Sequence, residues 1–309
     1  MSPDPTPTAP PTAPAPAQRG QDVIHNIGYR EYEGARLGRA YARRSLFSQS
    51  LRGAYGLGRS AKSKVLPMIL FAVICMPAAI IVAVAVATKA DELPVGYSEY
   101  VLMLQPVIGI FIAAVAPQMV SLDLRFKITP LYFSRPIERG DYVAAKYAAL
   151  SAALFVFTAF PVVIMYVGAL LAKLDFGEST KGFLQGLVFC AVFALLHAAI
   201  GACMAALTPR RGFGIAAIIV VLTIPFFLIS ALQGIAMEQD ADSAIGWLGL
   251  ASPGSLMDGL QSKFLGGISQ FPGGETLTDA QGPLYLVVIA ALTAGAYALL
   301  LRRYRKAGL

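Results

Sequence analysis

An all-helical membrane protein is the fold class this sequence predicts, on three observations. Hydrophobic residues make up 56% of the 309 positions and charged residues only 14%, with a mean hydropathy of +0.63. A soluble domain carries about 25% charged residues, so the composition belongs to a polytopic membrane protein. Six uncharged apolar stretches approach or exceed the ~20 residues a helix needs to cross the hydrocarbon core. The basic residues, finally, fall into alternate connections between those stretches.

The predicted spans are Val65–Thr88, Val101–Val120, Tyr147–Ala172, Phe183–Leu207, Phe213–Met237 and Pro283–Leu301. None contains Asp, Glu, Lys or Arg. The sixth is the shortest, and Leu299-Leu300-Leu301 runs directly into Arg302-Arg303 as a stop. In lipid every backbone polar group needs an internal partner, and an open chain meets that need only as helices. Of the 25 basic residues, 21 fall on one side of the six-span arrangement, leaving Lys89, Lys173, Lys181 and Lys263 on the other. The positive-inside rule therefore places both termini in the cytoplasm.

Residues 1–21 open with prolines at 3, 5, 7, 10, 11, 14 and 16 among Thr and Ala. Such a tract cannot bury a core, so a disordered, extended tail is expected. It lacks the basic start and apolar run of a signal peptide. Residues 22–64 form a basic cytoplasmic segment, followed by the six-helix domain at 65–309. In that segment Leu37, Tyr41, Leu46, Phe47, Leu51 and Tyr55 interleave with arginines at near-helical spacing. This pattern predicts an amphipathic helix in the membrane interface, its arginines toward anionic lipid head groups. A plain positive flank that sets orientation is the other reading. Between spans five and six, residues 238–282 carry Trp247, Leu256, Met257, Leu260 and Phe264, too apolar for a free loop. Short extracellular helices that dip into the outer leaflet or cap the bundle are expected there.

Several chemistries are excluded or weak. Gly56-Leu-Gly-Arg-Ser-Ala-Lys62-Ser63 imitates a phosphate-binding loop. That motif needs a strand before it and a helix after it, and here a helical segment precedes and a membrane span follows. A basic hinge is the better reading, and no cofactor is expected. The only histidines are His25 and His197 and the only cysteines Cys75, Cys190 and Cys203, which offer no metal cluster. His197 lies in span four without an acidic partner in any span, and a helix-to-helix hydrogen bond is its expected role, as for Gln105, Gln118 and Gln233. Gly109, Gly168, Gly201 and Ala205 are small enough for close helix contacts. Pro106, Pro117, Pro161 and Pro225 are expected to kink their helices. An ion-coupled carrier keeps a mid-membrane carboxylate, and the predicted spans hold none. With no charge in the spans, an apolar or amphiphilic cargo is favoured. The high net charge of +7 is accounted for by membrane orientation, and no nucleic-acid partner is implied.

The most informative segment is 121–146, with Arg125, Lys127, Arg135, Arg139 and Lys146 around the apolar centre Leu131-Tyr132-Phe133. An apolar knob ringed by charge is the pattern of a protein-binding patch. Asp123, Leu131, Ser134-Arg135-Pro136-Ile137, Arg139, Tyr142 and Lys146 resemble the corresponding loop of the ABC-2 type transporter permeases. The resemblance extends to six spans, cytoplasmic termini, an interfacial N-terminal helix and apolar helices between spans five and six, over about residues 22–309. It departs from the family where an acidic–arginine run is common, for here Asp123 stands alone with Arg125 and Lys127. The resemblance implies the membrane subunit of a bacterial ABC exporter in the cytoplasmic membrane. A second permease subunit, the same or related, would complete the pathway, and separate cytosolic ABC ATPase subunits would supply the energy. No enzyme activity is implied for this chain. Leu131, Tyr132 and Phe133 would anchor the ATPase, with Arg135 and Arg139 as rim charges, Pro130 and Pro136 bracketing a short helix, and Asp123 and Lys146 completing the docking loop. A scaffold that tethers a cytosolic complex without transport is the alternative that the same loop would serve.

Overall fold

The computed structural model describes residues 34, 37–133, 137–208 and 210–306. The Pro-rich tail, His25, most of residues 22–36 and the Ser134-Arg135-Pro136 core of the resemblance lie outside the described residues. From Leu37 onward the chain forms one unit of packed helices. Among the described residues there is no strand, and six helices are long and apolar enough to cross a membrane, so this is a multi-pass membrane protein.

The first helix, α1 (Arg39–Ala54), precedes the first span, α2 (Ala61–Thr88). The turn between them uses Gly56 at φ +69°, where a side chain would strike the backbone of Ser63. Gly56 of the phosphate-loop-like stretch thus serves a helix–helix turn, with α1 directly before it. Buried Leu46 and Ala54 and half-buried Phe47, Leu51 and Tyr55 make the inner face of α1, with Leu37 and Tyr41 exposed. That face packs along the third span, where the Tyr55 hydroxyl donates to the Ala153 carbonyl at 2.6 Å.

The second span differs from its sequence-based bounds. Val101 belongs to a separate short helix, α3 (Tyr97–Met103), and the chain breaks at Leu104. The span itself is α4 (Gln105–Ala116), a π-helical segment (Pro117–Ser121) and α5 (Leu122–Arg125), continuous from Gln105 to Arg125. Prolines explain both joints. Pro106 sits in the first turn of α4, where a missing N–H costs little. Pro117, in mid-span, lacks the N–H of the regular ladder, and the wider π turn begins there. Pro161 and Pro225 lie inside helices that continue through them.

A five-residue helix, α6 (Thr129–Phe133), follows, then α7 (Arg139–Leu171), α8 (Phe176–Leu207) and α9 (Arg211–Glu238). A tight turn at Lys173, with φ +58°, joins α7 to α8 and makes them antiparallel neighbours. Asp175 caps α8 by accepting from the Glu178 N–H at 2.8 Å. The 33 residues of α7 span about 50 Å at 1.5 Å each, against a hydrocarbon core of ~30 Å, so its charged first turns extend past the apolar layer.

The 238–282 segment folds as short helices that close one end of the bundle: α10 (Asp242–Leu248), a 3-10 turn (Gly249–Ala251) and α11 (Pro253–Phe264). Ser252 caps α11 with Pro253 in its first turn. The stretch Pro253–Gln261 is buried against α3, α8, α9 and the last span, α12 (Gln281–Lys306). Glycine makes that closeness possible, since a side chain at Gly259 would occupy the ring of Tyr285.

Within this cap the Asp258 carboxylate accepts from Gln261 Nε2 at 2.9 Å and from the Gln270 backbone N–H at 3.0 Å. Burial outweighs these bonds and lifts its pKa from 3.8 to about 6. A carboxyl raised on folding contributes stability that is complete below about pH 4 and lost as the pH rises through 6. The effect is worth at most about 3 kcal/mol. Asp258→Asn is therefore expected to raise Tm at pH 7.5 and to flatten its dependence between pH 4 and 7. Unchanged pH dependence in thermal melts of the detergent-solubilised variant would refute this.

Spans α4–α5, α7 and α8 form the centre, with 72%, 50% and 61% of their most apolar windows buried. The corresponding figures for α2, α9 and α12 are 22%, 17% and 17%, so these three present most of their surface outward. In the centre Phe111 stacks on Phe157 with centroids 4.0 Å apart, and Gly201 brings α8 against Ile112 of α4.

Candidate functional site

The 121–146 segment is shorter as a loop than its charge pattern predicts. Leu122–Arg125 completes the second span, and Arg139 already belongs to α7. Only residues 126–138 connect them, with α6 in the middle. Lys127 at φ +51° turns the chain, and the Ile128 N–H returns to the Asp123 carbonyl at 3.2 Å. Pro130 lies in the first turn of α6, where its ring is tolerated.

Of the three anchor residues named from the sequence, Leu131 points away from the bundle and is 69% exposed. Tyr132 and Phe133 are half-buried and turn inward. Both rest on Tyr142, with ring centroids 5.2 Å and 6.0 Å away. Of the apolar centre Leu131-Tyr132-Phe133, one leucine thus faces outward on a helix seated by two aromatic rings. The reason is helical geometry: consecutive residues point about 100° apart, so three in a row cannot share one face.

Asp123 and Lys146, expected in the docking loop, form an internal pair. They meet at 2.9 Å inside the fold, both largely buried, at the junction of α5 and α7. The Tyr142 hydroxyl donates to the same carboxylate oxygen. Two charges this far from water persist because each satisfies the other and the tyrosine takes a further lone pair. The Lys146 ammonium also lies 5.5 Å from the Tyr142 ring centre.

Tyr142 is the hub. Besides Tyr132, Phe133 and Asp123, it packs on Tyr304 of α12, ring centres 5.2 Å apart. The Tyr304 hydroxyl donates to the Val120 carbonyl at 3.3 Å, closing the circuit onto the π-helical segment. Arg139 lies 5.8 Å from the Phe133 ring and donates to the Arg305 carbonyl at 2.9 Å. A cation at the last turn of α12 also meets the negative end of its helix dipole. Arg39 of α1 pairs with Asp141 and Glu138, and Arg43 lies 3.5 Å from Asp141. The seat of α6 therefore joins spans two, three and six, and α1 is clamped to the same end of span three. Arg135 and Pro136 lie outside the described residues.

Sequence reading listed Tyr142 only within the family pattern and missed Tyr304. One signal was present: Tyr304 is the sole aromatic in Arg302-Arg303-Tyr304-Arg305-Lys306, a run otherwise read as a stop. The intramembrane glutamines and histidine divide. Gln233 donates to the Ile245 carbonyl of α10 at 2.9 Å, a helix-to-helix bond as expected. Gln118 accepts from Arg59 at 3.3 Å. His197 departs from expectation, because its Nδ1 pairs with the Phe193 carbonyl of its own helix at 3.0 Å. The ring stacks on Phe193, centroids 3.8 Å apart, and this stacking holds it along α8. No family model matches this chain, and no curated protein matches it.

Proposed function

We propose that this protein is the permease subunit of an ATP-driven ABC-2 type exporter, coupled through α6 to separate cytosolic ATPase subunits. The observation that carries the reading is the seating of α6. It is a short helix with an exposed leucine outward and two aromatic rings inward on Tyr142, and Tyr142 touches spans two, three and six. A force on such a helix is delivered to several spans at once. The resemblance of residues 123–146 to the permease loop and the abundance of basic residues at this end support the same reading, with this end cytoplasmic in the proposal. Leu131 enters a groove of the ATPase, while Tyr132 and Phe133 transmit its displacement to the spans. A second permease subunit completes the pathway, and the outward surfaces of α2, α9 and α12 leave ample area for it and for lipid.

Purification of the full chain in mild detergent is expected to recover an ABC ATPase. Leu131→Asp places a charge in the proposed contact and is expected to weaken that association at least about 30-fold, the scale of losing a hot spot of ~2 kcal/mol. The double change of Tyr132 and Phe133 to Ala is expected to leave the ATPase bound while lowering ATP-driven flux in vesicles. Retention of the ATPase by Leu131→Asp would show that α6 is not the anchor. Recovery of a complex without an ATPase, with no ATP-dependent flux, would favour the tethering scaffold. Orientation has its own test: Lys127→Cys is expected to react with an impermeant maleimide only from the cytoplasmic side.

A further inference from the structure

Away from α6, a cavity of about 270 Å³ lies between α4, α8 and α9, with Gln105, Pro106, Gly109, His197, Thr223 and Phe226 in its wall. Two of these side chains are buried and polar, His197 at 1% exposure and Gln105 at 8%. His197 Nε2 and Gln105 Oε1 meet no hydrogen-bond partner. The tautomer of His197 follows from its other nitrogen. Nδ1 faces a carbonyl oxygen, which only accepts, so Nδ1 carries the proton and Nε2 offers a lone pair. The wall therefore presents two unpartnered acceptors beside the Thr223 hydroxyl and the Gln270 side chain, and no charged residue. Each buried acceptor left unpaired costs about 1–3 kcal/mol, which a donor entering the cavity would recover.

Position and shape narrow the occupant. His197 lies ten residues before Leu207, the last residue of α8, while Gln105 opens the second span and Gln270 belongs to the cap, so the cavity runs from the capped end of the bundle into its apolar part. An ion there would meet no counter-charge, so the occupant is neutral. The volume equals roughly nine waters at ~30 Å³ each, enough for a ring or the head of an alkyl chain. Met103 and Phe227, exposed at 54% and 61%, flank the opening, so an apolar tail can leave along the side of the bundle. Gly109 belongs to this design. A Cβ built there meets nothing within 4 Å, so the glycine keeps space open and brings no helix closer.

From this we infer that the cavity binds a neutral amphiphile, an apolar body carrying a hydroxyl that donates to His197 Nε2 or Gln105 Oε1. The inference is independent of ATPase docking and concerns the membrane bundle alone. It is tested on the full chain in nanodiscs with a photoreactive 4-alkylphenol and its methyl ether, which lacks the donor. The phenol is expected to label residues 102–109 and 222–227 saturably, and the ether about fivefold or more less, the value of one net hydrogen bond of ~1 kcal/mol. Gly109→Leu adds a side chain whose Cβ meets nothing within 4 Å and is expected to cut phenol labelling at least about tenfold at unchanged Tm, by loss of the cavity. His197→Phe keeps the stack on Phe193 and is expected to shrink the preference for phenol over ether. Equal labelling by the two probes, wild-type labelling of Gly109→Leu, or no saturable labelling (a cavity that holds only water) would overturn the inference. Mass spectrometry of co-purified lipids separates the sources. A hydroxyl-bearing lipid kept by the wild type and lost from Gly109→Leu marks a membrane ligand. Phenol labelling with no such lipid marks a small molecule that partitions from outside.

Discussion

Lys146→Ala is expected to destabilise the protein by about 3–5 kcal/mol, as is Asp123→Ala, because each leaves a charge buried without its partner. The pair is close, at 2.9 Å, and both side chains are only 11% exposed. Removing the ammonium strands the Asp123 carboxylate with the Tyr142 hydroxyl as its named remaining partner. Removing the carboxylate strands Lys146 and takes the acceptor from Tyr142 as well. The double variant Asp123→Asn with Lys146→Met keeps the volume and carries no charge, so it is expected to recover most of the loss. Thermal unfolding of the wild type, Asp123→Asn, Lys146→Met and their double variant in one detergent forms a double-mutant cycle, whose coupling term should exceed about 1.5 kcal/mol. Additive losses would mean the two charges are solvated independently and that Tyr142 is not their shared neighbour. The same melts bear on α6. If Tyr142 seats that helix through Tyr132 and Phe133, Lys146→Ala should also raise proteolysis between residues 126 and 138.

The second large effect concerns glycines that look alike in the sequence. Gly201→Leu is expected to destabilise by about 1–3 kcal/mol or more, since its first side-chain carbon would overlap Ile112 of α4. Gly168→Leu is expected to do the same against Val82 of α2. Gly109→Leu should be tolerated, because its first side-chain carbon meets nothing within 4 Å. All three lie in apolar spans and were read alike as sites of close helix contact. Equal Tm losses for the three leucine variants would contradict the packing described here. Overlap is the cause of the difference: helices α7 and α8 approach their neighbours across Gly168 and Gly201, whereas α4 turns Gly109 toward a void.

The legibility of this protein in its sequence varied with the kind of force at work. The membrane helices were readable because exclusion of charge from hydrocarbon acts on each residue separately. Their ends were less so. Charge marked where a span had to stop being apolar, yet α7 continues as a helix through Arg139, Asp141 and Lys146 beyond that point. The break at Leu104 was invisible because Val101–Met103 and the following span are equally apolar. The cap between spans five and six was legible as apolar material that water would not tolerate. At the candidate site, the apolar Leu131-Tyr132-Phe133 among charges was legible, and α6 forms there with Leu131 exposed. Asp123 and Lys146 looked like surface charges because a sequence does not display the pairing that lets a charge be buried.

Composition, charge-free runs and their lengths alone determined that this chain is a helical multi-pass membrane protein, with six helices among the described residues long and apolar enough to cross, for each rests on the cost of placing a group in lipid. Which spans form the centre was decided only by tertiary structure. All six are apolar around most of their circumference, so lipid and protein are equally acceptable neighbours, and packing shape makes the choice. The convergence of Asp123, Tyr142, Lys146 and Tyr304 was decided there too. These four positions come from three spans and as many as 181 positions apart in the chain, and only the folded bundle brings them into hydrogen-bonding and ring contact.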